Sequence, residues 1–119
     1  GRAFLVGDAA HLNNPLGGMG MNGGIHDAFN LTDLLVAAWS SRADPKQLEL
    51  YDRQRRAVTL NAVQTQTIQN KKDLEASSKE DQADFRSRLR NALDTTDGTR
   101  AYLQRLAMIA SLRQASEIK

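Results

Sequence analysis

The 119-residue chain contains no cysteine. That excludes disulfides and thiolate metal sites, and it fits a reducing compartment such as the cytoplasm. No apolar run approaches the roughly 20 residues that a helix needs to span a bilayer. The basic-then-apolar layout of a signal peptide is also missing from the N-terminus. The net charge is only +2, which gives no argument for nucleic acid or an anionic membrane surface as partner. Arg53, Arg55 and Arg56 form a basic cluster, but nearby acids dilute it. What is present is a chain with 40% hydrophobic residues and mixed charges, a composition that excludes disorder and allows a buried core.

The chain opens at Gly1-Arg2 and runs at once into the apolar stretch Ala3 to Val6. Apolar without alternation, this stretch reads as a short buried strand that Gly7 and Asp8 end. A lone strand needs neighbours to pair with, so a piece of a larger protein, cut just before the strand, is the expectation. His11 to Gly24 reads as loop because Asn13, Asn14, Pro15 and five glycines disfavour regular structure. Ile25 to Trp39 then carries apolar residues at helical spacing. Ala28, Leu31, Leu35 and Ala38 make a stripe that Ile25, Phe29 and Leu34 widen, which predicts a helix buried on much of its surface.

After a polar break at Ser40 to Asp44, Asp44-Pro45 predicts a helix start with Asp44 as N-cap. Leu48 and Tyr51 are the expected anchors of this short helix. A longer helix is expected from about Arg56 to Glu75, with Leu60, Val63 and Ile68 inward. Ser78 with Asp81 predicts another start, followed by Phe85, Leu89 and Leu93 on one face. Thr95 to Gly98 reads as a turn, and Tyr102, Leu103, Leu106, Ile109 and Ala110 mark a final helix. The expected fold of the segment is therefore mostly α with one N-terminal strand. Its expected division is residues 1–42, holding strand, loop and helix, and residues 43–119, a helical region.

The glycine loop carries the chemistry. Gly18-Met19-Gly20-Met21-Asn22-Gly23 spells G-x-G-x-x-G, but a dinucleotide fingerprint needs its turn directly between strand and helix. Here Asn13, Asn14 and Pro15 intervene between Gly7 and Gly18, and no acidic residue ends a second strand downstream. A nicotinamide dehydrogenase reading therefore requires a strand that ends at Gly18. A second reading uses the whole stretch. Glycines permit close backbone approach, and a helix start offers orphan N–H donors and partial positive charge to a ligand that becomes negative. Asp8, after the strand, is placed to accept hydrogen bonds from hydroxyls of a sugar-like chain. A third reading is a plain flexible turn.

The ordered set Gly7, Asp8, Ala9, Ala10, His11, Pro15, Gly18, Gly20, Asn22, Gly24, Asp27, Ala28, Asn30 and Leu31 resembles the second FAD-binding motif of the flavin-dependent aromatic hydroxylases, the group typified by para-hydroxybenzoate hydroxylase. The tail segments "LELYDRQRR" and "TRAYLQRLAMIASLR" resemble the C-terminal helices of such enzymes. The resemblance implies part of an α/β FAD/NAD(P)-binding fold, with FAD as cofactor. It implies that Gly7, Asp8, Pro15, Gly18, Gly20, Met21 and Asn22 face the flavin. Asp8 would bond a ribityl hydroxyl, the backbone N–H groups of Met21 and Asn22 would point at the pyrimidine edge, and the Pro15 carbonyl would face the substrate side of the ring. In that family NAD(P)H reduces the FAD, and O2 then supplies the oxygen that hydroxylates a small aromatic ring.

The family's N-terminal diphosphate-binding G-x-G-x-x-G and its substrate sheet do not occur before this segment. The chain resembles roughly the last third of such an enzyme and is expected to be inactive alone, its partner being the missing N-terminal FAD and substrate region. A helical interaction module derived from a flavoprotein, without catalysis, is the alternative.

Among the remaining residues, His11 reads as loop-fixing rather than as a general base, and Asp27 as a brace or cap in a first turn. Asp33 reads as a solvated or buried structural group. No carboxylate or cysteine stands at metal-ligand spacing from both His11 and His26. Met19 and Met21 read as flexible packing, and Trp39 as core.

Overall fold

The computed structural model describes residues 3–119. Six α-helices follow one another: α1 (Met19–Trp39), α2 (Glu49–Val58), α3 (Thr65–Glu75), α4 (Lys79–Leu93), α5 (Thr96–Leu106) and α6 (Ile109–Ser116). Short 3-10 turns cover Gly7–Ala9 and Pro45–Leu48. The radius of gyration is 17.3 Å, against about 13.5 Å for a compact domain of this length. The molecule is correspondingly long and thin, 58 × 30 × 18 Å. Its buried core is small: Met19, Val58, Val63, Met108 and Ala115. α2 packs on α1 and α6 around this core, and α5 packs on α4 and α6 outside it.

The N-terminal strand expected at Ala3 to Val6 is not seen. Val6 has the extended backbone of a strand (φ −136°, ψ 144°), but Ala3 and Leu5 are exposed and no strand lies beside the segment among the described residues. Extended backbone becomes a strand only through a ladder of hydrogen bonds. The segment is instead held by Tyr51, whose hydroxyl donates to the Leu5 carbonyl at 2.6 Å. The Phe4 ring stands edge-on to the Tyr51 ring.

Helix α1 begins at Met19, six residues before the expected Ile25. Gly20, Gly23 and Gly24 are therefore helical, against their propensity, because the preceding loop packs on them. The expected burial of α1 is also corrected. Met19, Gly23, Asp27 and Leu31 are buried, but Met21, Ile25, Phe29, Val36 and Trp39 form an exposed apolar face on the other side. Trp39, expected in the core, is 93% exposed; it is the last helical residue, and nothing among the described residues covers it.

Asp44 caps as expected, accepting from the Lys46 N–H at 2.8 Å. The two helices expected beyond it are one continuous run, because a π-helical stretch at Thr59–Gln64 joins α2 to α3. That π-turn resets the helical phase. The buried positions step through Thr59, Val63 and Thr67, while Leu60 and Ile68, expected inward, are exposed.

Ser78 starts α4 as expected: its Oγ accepts from the Asp81 N–H at 3.0 Å and donates to Asp81 Oδ2 at 2.6 Å. No residue of α4 is fully buried. The turn expected at Thr95 to Gly98 is the first turn of α5, capped by Thr95. The expected final helix is two helices, broken at Met108, which is buried at a left-handed φ of 61°. Among the described residues no helix is long and apolar enough to cross a membrane.

Candidate cofactor site

After the 3-10 turn at Gly7–Ala9, the chain runs back along the first turns of α1. A methyl placed on Gly24 would stand 3.2 Å from the Gly7 Cα, and one on Gly23 would stand 3.9 Å from His11 Cε1. On Gly20 it would meet Asn13 Cβ at 4.0 Å. Gly24 thus serves the close approach of loop to helix, while a methyl on Gly23 or Gly20 would make only ordinary contact. Gly17 and Gly18 do a different job, turning the chain into the helix at φ 122° and 65°. Such left-handed backbone is open to glycine at little cost.

Asp27 anchors this arrangement from the third turn of α1, not the first turn expected of it. Its side chain is completely buried. Oδ2 accepts from the Gly7 N–H at 3.0 Å and pairs with His11 Nε2 at 2.7 Å. Oδ1 accepts from Arg55 Nε at 2.5 Å, and Arg55 Nη2 reaches the Gly23 carbonyl at 3.4 Å. Burial pushes the Asp27 carboxyl up, but the hydrogen bonds from Arg55, His11 and Gly7 outweigh it and hold the pKa below the usual value. His11 therefore fixes the loop, as expected, with its other ring nitrogen 3.4 Å from Asn13 Nδ2. Tyr51 lies in the same region, and burial followed by the Asp27 charge raises its phenol pKa.

The turn at Pro15 is held separately. Asn14 Oδ1 accepts from the Leu16 N–H at 3.0 Å, and Asn70 of α3 donates to the Leu16 carbonyl at 3.4 Å.

Against this frame the expected ligand-facing residues can be located. Asp8, Pro15, Gly18, Met21 and Asn22 are exposed, while Gly7 and Gly20 are half-buried. Gly18 is the N-cap of α1 and supplies no side-chain cap. The N–H groups of Met19, Gly20 and Met21, the first three helical residues, have no acceptor within the helix. Asn22 is one residue further on, where regular α geometry returns its N–H to the Gly18 carbonyl. The chain from Asn13 to Leu16 is irregular, so no strand ends at Gly18 and the dehydrogenase reading is eliminated.

Arg55, the buried partner of Asp27, does not stand out in the sequence. By charge alone it belongs with Arg53 and Arg56 in a basic cluster diluted by nearby acids. Its spacing from Tyr51 and Val58, four and three residues, places all three on one helical face, and all three are buried. That shared face was the available signal. Arg56, by contrast, pairs on the surface with Asp52 at 2.7 Å.

The family model described as FAD binding domain matches residues 1–66, the stretch that holds the loop, α1 and Arg55. The chain belongs to the FAD-binding domain family. Among curated proteins, para-nitrophenol 4-monooxygenase of Pseudomonas sp. (strain WBC-3) is 47% identical over 60 residues, covering 50% of this chain and 15% of that protein. Rifampicin monooxygenase of Rhodococcus hoagii is 44% identical over 62 residues, 52% of this chain and 13% of that protein. Tetracenomycin B2 monooxygenase-dioxygenase of Streptomyces olivaceus is 47% identical over 58 residues, 49% of this chain and 11% of that protein. The chain thus spans 15% or less of the length of these three relatives. No solved structure matches it.

FAD is the cofactor of this family, and the residues present fit it. An uncapped helix start with free N–H donors suits the electron-rich edge of a flavin. The exposed Asp8 carboxylate is an acceptor for hydroxyls.

Proposed function

We propose that this segment forms the flavin-ring side of the FAD site in a monooxygenase that hydroxylates a small aromatic substrate with NAD(P)H and O2. The observation that carries the reading is the exposed, uncapped start of α1, held against the loop that bears Asp8. Asp8 would take a ribityl hydroxyl. Gly18 and Gly20 would let the flavin approach the backbone, and the Met21 and Asn22 N–H groups would face its pyrimidine edge, with the free Met21 N–H the stronger donor of the two. Pro15 and Gly7 would border the ring. The bound FAD would supply the redox and oxygen-transfer chemistry. The protein's part is to place donors where negative charge develops on reduction, a contribution that fixed dipoles make without reorganising.

Residues 1–42 would then complete an FAD-binding domain, and residues 43–119 would form its helical continuation. The exposed apolar face of α1 supports a partner within the same protein, the preceding FAD and substrate region, since a face of this kind marks an interaction surface. The names of the relatives support oxygenation as the reaction class. On this reading the segment by itself is inactive.

The test is substrate-stimulated NAD(P)H consumption by the intact protein, with a panel of phenols and other small aromatics. Coupled hydroxylated product is expected with at least one of them. A flavin-loaded protein that consumes NAD(P)H without oxygenating any aromatic would contradict the hydroxylase assignment. A non-catalytic interaction module is the second reading, favoured by the same exposed α1 face.

A further inference from the structure

We propose that Arg55 is a positioning residue for the flavin loop, acting through the buried Asp27 carboxylate. The inference rests on the assignment of the loop to FAD. It arises from where the Asp27–Arg55 pair makes its bonds. Asp27 takes the Gly7 N–H, one residue before Asp8, and Arg55 takes the Gly23 carbonyl, one residue after Asn22. The two groups expected to meet opposite parts of the ligand are therefore attached to a single ion pair at 2.5 Å. His11 adds a bond on the same carboxylate.

Chemistry makes this pair more than a local brace. Asp27 is fully buried, and a buried carboxylate needs its remaining lone pairs bonded and its charge matched. Arg55 supplies the permanent charge, because a guanidinium does not deprotonate in proteins, whereas His11 is charged only when protonated. The planar guanidinium also serves two acceptors at once, Oδ1 of Asp27 and the Gly23 carbonyl, in one fixed orientation. A lysine ammonium carries the charge without that planar geometry. Arg55 lies on α2, 28 residues beyond Asp27, so α2 fixes the carboxylate that in turn ties Gly7, next to Asp8, to α1.

Arg55→Met alone strands a buried charge and is at risk of misfolding. The decisive variant is therefore the double substitution Arg55→Met with Asp27→Asn, compared with Arg55→Lys and Asp8→Ala in the intact FAD-loaded protein. The readouts are the FAD dissociation constant, the midpoint potential and visible spectrum of the bound flavin, and Tm. Losing a well-placed hydrogen bond that involves a charged group costs about tenfold or more in affinity. The double variant is accordingly expected to bind FAD at least about tenfold more weakly with a shifted potential, and Arg55→Lys to recover only part of both. If the double variant and Arg55→Lys keep the parent's FAD affinity and potential while Asp8→Ala weakens binding, Arg55 is a structural residue and the proposal is overturned. If Asp8→Ala also leaves FAD affinity unchanged, the FAD assignment of the loop itself fails.

Discussion

Gly24 of α1 and Gly7 of the preceding loop meet backbone to backbone, so that a Cβ on Gly24 would lie 3.2 Å from the Gly7 Cα. Gly7 has no room to retreat, because its N–H is bonded to Asp27. Gly24→Ala gains up to about 1 kcal/mol of helix propensity and loses about 1–3 kcal/mol to overpacking. A net destabilisation of about 1 kcal/mol is expected in denaturant unfolding. Gly7→Ala should cost about as much by another route, since its φ of +60° strains any residue with a Cβ by about 1–2 kcal/mol.

Acid should weaken the loop through Asp27. Its folded pKa is depressed, so its contribution is complete above the unfolded value near 3.9 and drains away as pH falls through the folded value. The stability gap between the protein and its Asp27→Asn variant should be widest near neutrality and should narrow below about pH 4. Unfolding curves collected from pH 3 to pH 7 measure it. A gap independent of pH would mean that the Asp27 charge contributes nothing.

Tyr51→Phe keeps the edge-on contact with Phe4 and removes the hydroxyl bond to Leu5. Because Leu5 is exposed, water can replace the lost donor. A loss of about 0.5–1 kcal/mol is expected, with faster amide exchange confined to the N-terminal segment. Tyr51→Ala should cost several-fold more, because the buried ring is lost too.

Ser78→Ala removes the cap of α4 and the reciprocal bond to Asp81. Loss of such a cap costs about 1 kcal/mol. Since α4 buries none of its residues fully, the effect should appear as reduced helicity by circular dichroism and should not reach the flavin loop.

Features encoded by local chemistry were legible in the sequence. Asp44 and Ser78 were recognisable as caps because their side chains bond neighbours two and three residues on. The end of α3 at Glu75 was legible in the same way, from the serines that follow it. What failed depends on distant partners. Gly20, Gly23 and Gly24 look like loop residues until the segment from Gly7 to Asn13 is laid against them. Leu60 and Ile68 look inward until a π-turn resets the phase, and Met108 gives no hint of a helix break because methionine is an ordinary helix former. Trp39 and the apolar face of α1 read as core because apolar periodicity reports a face that is covered, without saying by what. Arg55 was hidden by its charge, although its spacing from Tyr51 placed it inward.

The most direct test of the central claim is FAD binding by the intact protein and by its Asp8→Ala variant, followed by flavin absorbance and fluorescence titration. The account predicts a yellow protein with stoichiometric FAD and a variant whose affinity falls about tenfold or more, the value of a hydrogen bond to a charged group. A colourless protein that takes up no FAD, or an Asp8→Ala variant that binds it equally well, would contradict the account.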